Sequence, residues 1–245
     1  MNEIYCGPAP TPSILASAWN LDFAALSLCA AIVGAWAVLR RGQGGDVPLA
    51  GGIAVLLILF LTPLCALTAA LFSARALHHV LLVALAAPLL ALAFPASVRG
   101  SRIGLGWVAA IHALVFWVWH APSVYAVAVT DPLGYWAMQL SLLGTAVWFW
   151  RRVFRAAEPA IGVVLALLGT TAQMGLLGAL LTFAATPLYA LHAVTTLPFG
   201  LSALEDQQLG GILMWVPAAL PYLAAALYRA WPLLGPSRGG APWSG

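Results

Sequence analysis

The residues of this 245-residue chain that are able to do chemistry are few, and they lie close to the ends of apolar runs. His78 and His79 are adjacent, His120 stands in Trp119-His120-Ala121-Pro122, and His192 follows Pro187-Leu188-Tyr189. Imidazole binds copper, zinc and haem iron well and is uncommon against lipid, so four histidines assigned to one side of a membrane read as a site. Cys6, in Tyr5-Cys6-Gly7-Pro8, offers a thiolate and Met174 a thioether, both suited to a soft cuprous ion. The plainer readings stay open. Neighbouring positions on a helix point about 100° apart, so only one of His78 and His79 need face a bundle axis. Methionines also fill cores, and Cys6, Cys29 and Cys65 show no paired spacing, so no disulfide framework or c-type haem site is expected.

Two acids, Glu205 and Asp206, precede the last apolar run, where they suit the positive end of a helix or orient imidazoles from behind. Arg75 is the single cation expected on the histidine side, and an ion pair with Asp206, Glu205 or Asp131 is predicted for it. No Gly-rich phosphate loop, no Ser-His-Asp set and no paired membrane carboxylates occur, which argues against ATP hydrolysis, proteolysis and proton pumping. The chain has ten arginines and no lysine, so it cannot hold retinal as a Schiff base. The reading is a protein that is not an enzyme.

These residues need a frame, and composition supplies it. The chain is 63% hydrophobic and only 7% charged, against about 25% charged in soluble domains. Apolar runs predict an all-α, polytopic bundle of seven transmembrane helices near 22–39, 49–71, 76–94, 103–120, 134–151, 160–184 and 209–229. Pro122 and Asp131-Pro132 are expected in the fourth connection, and residues 72–75 in a tight turn between the second and third helices. Arg40, Arg41, Arg99, Arg102, Arg151, Arg152, Arg155, Arg229 and Arg238 fall on one side and Arg75 on the other. By the positive-inside rule the N-terminus is outside, in the periplasm of a bacterium, and the C-terminus cytoplasmic. The arginines are spread over loops, so no nucleic-acid partner is expected. The divisions are an outer tail 1–21 without the pattern of a cleavable signal, a helical domain 22–229 and a cytoplasmic tail 230–245.

Several stretches, in this order, resemble the CtaG family of caa3-type cytochrome c oxidase assembly factors: Tyr5-Cys6-Gly7-Pro8-Ala9-Pro10 with Trp19-Asn20-Leu21-Asp22, Leu71-Phe72-Ser73-Ala74-Arg75 through His78-His79, and Trp119-His120-Ala121-Pro122 leading to Tyr125. Gln173-Met174-Gly175-Leu176-Leu177-Gly178-Ala179-Leu180, Pro187-Leu188-Tyr189 and Asp206-Gln207-Gln208-Leu209-Gly210-Gly211 through Met214-Trp215 complete the set. The resemblance implies a multi-pass protein of the bacterial inner membrane that serves oxidase assembly, with cytochrome c oxidase subunits and periplasmic copper chaperones as partners beside the lipid bilayer. It carries over to His79, His120 and Asp206. Arg75 stands where many relatives have histidine four residues before His79, with His78 as its replacement, and Tyr135 and Gln139 stand where many carry histidine in the fifth helix.

The leading expectation is an assembly factor that takes Cu(I), its only expected metal, on His78, His79, His120, Cys6 and Met174, with Asp206, Glu205 and Arg75 behind them, and passes it on. A scaffold with incidental histidines is the alternative from another class. A haem-binding redox protein using His79 with His112 or His120 is the third.

Overall fold

The computed structural model describes residues 5–40, 45–94 and 103–234, which are helical, with no strand among them. In chain order the helices are α1 (Phe23–Arg40), α2 (Asp46–Leu61), α3 (Pro63–Ala70), α4 (Phe72–Leu81), α5 (Ala87–Ala93), α6 (Leu105–His120), α7 (Pro122–Thr130), α8 (Pro132–Val153), α9 (Ala160–Thr182) and α10 (Ala203–Leu234). Helix α4 runs through a π-helical turn, Leu82–Ala86, straight into α5. Arg41, Arg99, Arg102, Arg238 and the tail 235–245 lie outside the described residues.

Helix occupies each stretch where a span was expected, but length and apolarity qualify fewer as membrane-crossing. Phe72–Ala93, Ala160–Thr182 and Ala203–Leu233 meet the requirement singly, and two bent pairs raise the number to five. In those pairs α2 meets α3 at 51° and α6 meets α7 at 78°. The Phe72–Ala93 rod is the central one: 67% of its apolar window is buried, against 28% and 33% for the other two. Helices α9 and α10 pack together along most of their length, α10 also packs on α4, and α6 lies between α8 and α9.

Proline explains both bends, since it lacks an N–H and its ring forces the preceding residue out of the helical region. Thr62 and Ala121, the residues before Pro63 and Pro122, are both extended. Free carbonyls inside a membrane protein need partners. Asn20 of the N-terminal tail supplies two of them at the first break, donating from its backbone N–H to the Leu61 carbonyl at 2.9 Å and from Nδ2 to the Phe60 carbonyl at 3.2 Å. At the second break the Tyr189 hydroxyl donates to the carbonyl of His120 at 2.7 Å. The π turn frees the Val83 carbonyl, which accepts from Trp150 Nε1 at 2.9 Å.

The connection expected to hold Pro122 and Asp131-Pro132 is therefore a helix, because each proline sits in the first turn of a helix and starts it rather than merely breaking the chain. The turn predicted for residues 72–75 is a single residue, Leu71. Arg75 consequently lies one turn inside α4 and is buried, not in a loop.

Close approach of α9 and α10 depends on small residues. A Cβ on Gly178 would stand 2.7 Å from the Gly211 carbonyl oxygen, and one on Gly175 would stand 3.2 Å from the Trp215 ring. Gly169 faces open space. The glycine stripe of α9 thus serves contact within the chain over Gly175 and Gly178.

Candidate functional site

Arg75 and His79 stand one turn apart on α4, and a side chain four residues on shares the same helix face. His78 points away from that face toward α2, where its ring meets Phe60 edge-on with centroids 5.1 Å apart. His79 meets His120 edge-on at 5.4 Å and His78 at 5.9 Å. Because α6 ends at His120 and turns at Pro122, the bend delivers that imidazole to the flank of α4. All three rings are buried.

Tautomer follows from the partners. A carbonyl oxygen only accepts, so the 2.7 Å contact of His120 Nδ1 with the Phe116 carbonyl places a proton on Nδ1 and leaves the Nε2 lone pair available. Neither ring nitrogen of His79 has a hydrogen-bond partner. Two imidazoles with free lone pairs at this separation are able to share one ion, each metal–nitrogen bond taking about 2 Å.

The other expected ligands are placed differently. Cys6 is joined to Cys65 in a disulfide across 59 positions, which corrects the expectation of unpaired cysteines and removes the Cys6 thiolate from the ligand set in this state. Residue spacing did not reveal the pair because the two cysteines, 59 positions apart, meet only in the folded chain. Tyr5 stacks on Tyr135 at 4.1 Å and donates to Asp22 at 2.8 Å, Trp136 Nε1 donates to the Tyr5 oxygen at 2.6 Å, and the Tyr5 N–H binds the Val129 carbonyl at 3.0 Å. Burial is the main reason the Tyr5 phenol is pushed up to about 12. Met174 is buried in the core face of α9, outside the ring contacts that join the histidines.

Asp206 and Glu205 divide into two roles. Asp206 reaches from α10 to the start of α4, accepting from the Phe72 N–H at 2.6 Å, the Ser73 N–H at 3.2 Å and the Ser73 hydroxyl. It caps the helix that carries Arg75, His78 and His79. Glu205 is exposed and accepts from Ser202 N–H and Oγ at 2.8 and 2.7 Å, while the Glu205 N–H donates back to Ser202 Oγ, a reciprocal cap on α10. It stands behind no histidine. Gln207 continues the motif, accepting from the Leu188 N–H at 2.6 Å and donating to the Leu181 carbonyl at 3.3 Å, which holds the α9–α10 connection.

The ion pair predicted for Arg75 does not form. Asp206 is committed to α4, Glu205 to Ser202, and Asp131 accepts from the Gly134 N–H at 2.6 Å as the cap of α8. Arg75 is 1% exposed with no hydrogen-bond partner at Nε, Nη1 or Nη2, and its guanidinium carbon lies 5.3 Å from the centroid of the Tyr135 ring. Gln139, one turn along α8 from Tyr135, is buried with both amide atoms unpaired.

The partner of His192, Tyr125, escaped the sequence reading. His192 donates from Nδ1 to the Ala70 carbonyl at 3.3 Å and accepts the Tyr125 hydroxyl at Nε2 at 2.7 Å, so it is neutral and fully used. Burial, first, pulls its pKa down to about 4. His112 contacts Thr145 Oγ1 at 3.0 Å, within the apolar packing of α6 and α8. Among the described residues no three His, Cys, Asp or Glu side chains converge to hold a metal ion.

Apolar helices broken at proline, with a buried histidine cluster inside and the chain's own tail tied to α3, α7 and α8, define a helical membrane protein. Residues 103–234, more than half of the chain, match the family described as Cytochrome c oxidase caa3 assembly factor (Caa3_CtaG), and the chain belongs to that family. The match takes in His120, Tyr135, Gln139, Met174, His192 and Asp206, and starts after the tail and α4. Neither a comparison with curated proteins nor one with solved structures returned a match.

Proposed function

We propose that this protein handles Cu(I) as cargo for cytochrome c oxidase assembly, receiving it between His79 and His120 with His78 beside them. The carrying observation is the 5.4 Å approach of the His79 and His120 rings, with a free lone pair on His120 Nε2 and no competing partner on His79. Two-coordinate imidazole ligation suits a cuprous ion that has to be released again. Its donor is a periplasmic copper chaperone and its recipient an oxidase subunit. No catalytic step is assigned to the chain.

The reading places seven spans in a bacterial inner membrane with the N-terminus in the periplasm. Helix α8 supports the orientation. It runs from Tyr135 beside the cluster to Arg152, about 25 Å further at 1.5 Å per residue. At that far end Arg152 binds Glu158 and Arg229 donates to the carbonyls of Val153, Arg155 and Glu158. Basic groups therefore gather at the end opposite the histidines, as a cytoplasmic face requires.

Anaerobic Cu(I) titration of the detergent-purified chain against a competing chelator tests the proposal, with His79→Ala and His120→Ala alongside. One tightly bound ion, lost in either variant, is the expected result. Equal binding in all three proteins, or none in the parent, would leave the scaffold reading, which the buried positive charge of Arg75 beside His79 favours.

A further inference from the structure

The Arg75 guanidinium is a buried charge with no described counter-charge. Arginine keeps its charge at any accessible pH, so it cannot escape burial by losing a proton as a lysine or histidine does. A buried charge without a partner costs several kcal/mol, and inside membrane proteins such groups pair or face a polar ligand. Here Nε, Nη1 and Nη2 make no hydrogen bond of good geometry, the hydroxyls of Tyr125 and Tyr135 beside them are neutral, and the described acids Asp22, Asp131, Glu205 and Asp206 are engaged elsewhere, so no carboxylate balances the charge. The Tyr135 ring lies 5.3 Å away, which offsets part of the charge but supplies no counter-charge.

The neighbours strengthen the case, because they too lack partners. His79, one turn along the same face of α4, has no partner at either ring nitrogen. Gln139 presents an unpaired Nε2 from the side of α8 that carries Tyr135. A guanidinium with unused donor edges, together with a buried amide and imidazoles in want of partners, has the composition of an anion site.

We propose that Arg75 holds a small monovalent anion, halide or carboxylate in charge and size, on its unpaired nitrogens. The anion neutralises the one buried charge of the cluster that is opposed to a cation at His79. The proposal stands without copper binding, since the guanidinium needs its acceptor whether or not the imidazoles take a metal.

The full chain, purified in detergent, is tested by thermal unfolding in sodium gluconate exchanged stepwise at constant ionic strength for sodium bromide, and separately for sodium formate. Gluconate serves as the bulky reference anion. A ligand that binds only the folded state stabilises it by RT ln(1 + [L]/Kd), so a rise of a few degrees that grows with the logarithm of anion concentration is expected in the parent and none in Arg75→Met. A rise in bromide identifies a halide site and a rise in formate a carboxylate site, and each supports the proposal. No rise in either salt, or the same rise in Arg75→Met, overturns it. Should Arg75→Met not fold, crystals of the parent grown in bromide decide: an anomalous peak at hydrogen-bond distance from the guanidinium supports the site, and its absence at saturating bromide overturns it. No arm contains copper, so failure here is distinct from failure of the copper titration.

Discussion

Asp206 accepts the backbone N–H of Phe72 at 2.6 Å, across 134 positions of sequence. One carboxylate at the head of α10 thereby sets the height of α4, and with it the place of Arg75, His78 and His79. Both Asp206 and Phe72 are buried, so the Phe72 amide depends on the carboxylate for the bond it loses to water, and the carboxylate is compensated by Phe72 and Ser73 together.

Replacing Asp206 with Ala is expected to cost about 1.5–3 kcal/mol, the range for a buried hydrogen bond to a charged group. Thermal unfolding in detergent reads the loss, and Asp206→Asn should recover part of it because its carbonyl still accepts from one N–H. If the two variants have the parent's Tm, the cap does not hold α4.

The helix crossing makes a sharper comparison. Gly178→Ala puts a Cβ 2.7 Å from the Gly211 carbonyl, backbone that cannot move aside easily, and about 1–3 kcal/mol of destabilisation is expected. Gly169→Ala meets open space and should be neutral or slightly stabilising through helix propensity. Similar effects from the two would count against the close approach of α9 and α10.

The Cys6–Cys65 bond closes a long loop, for which about 2–4 kcal/mol of stabilisation is typical. Cys6→Ser and Cys65→Ser should lower Tm alike, and the double variant should do no worse than either. Cu(I) binding should persist in all three if the imidazoles hold the ion. Loss of copper on removal of either sulfur would return Cys6 to the ligand set in its reduced form.

His192 gives a pH test with a definite sign. Its pKa falls from the ordinary value near 6.5 in the unfolded chain to about 4 in the folded one, because burial disfavours the cation. Between those values the unfolded state binds the extra proton, so the stability contribution is complete above pH 6.5 and declines as pH falls toward 4. Below that both states are protonated and the decline stops. His192→Gln should show a shallower loss of Tm from pH 7 to pH 4.5 than the parent, and an equal slope would contradict a buried neutral His192.

Much of the helix plan was legible, because an 18-residue apolar stretch and a proline or arginine at its end are local signals. The stretches at 132–153 and 160–182 lie within two residues of their expected limits. Helix α7 and the one-residue link at Leu71 were not legible, since a proline reads as a breaker until its place in the first turn is known. His78, His79 and His120 could be singled out from type and position, whereas the distance between His79 and His120 depends on the 78° turn at Pro122.

The amino-acid sequence by itself determined that this chain is helical and membrane-bound, that its histidines cluster toward one end, and that it belongs with the caa3 assembly factors, because composition, period and motif order are carried by neighbouring residues. Only the tertiary structure decided which partner each polar group takes. Cys6 goes to Cys65, Asp206 to the head of α4, Tyr125 to His192, and Arg75 to none of the described acids, since these pairings join residues between 59 and 134 positions apart or leave a charge unmet that sequence reasoning had paired. Such choices are made by the competition among buried groups for a few acceptors in a medium that has no water to offer.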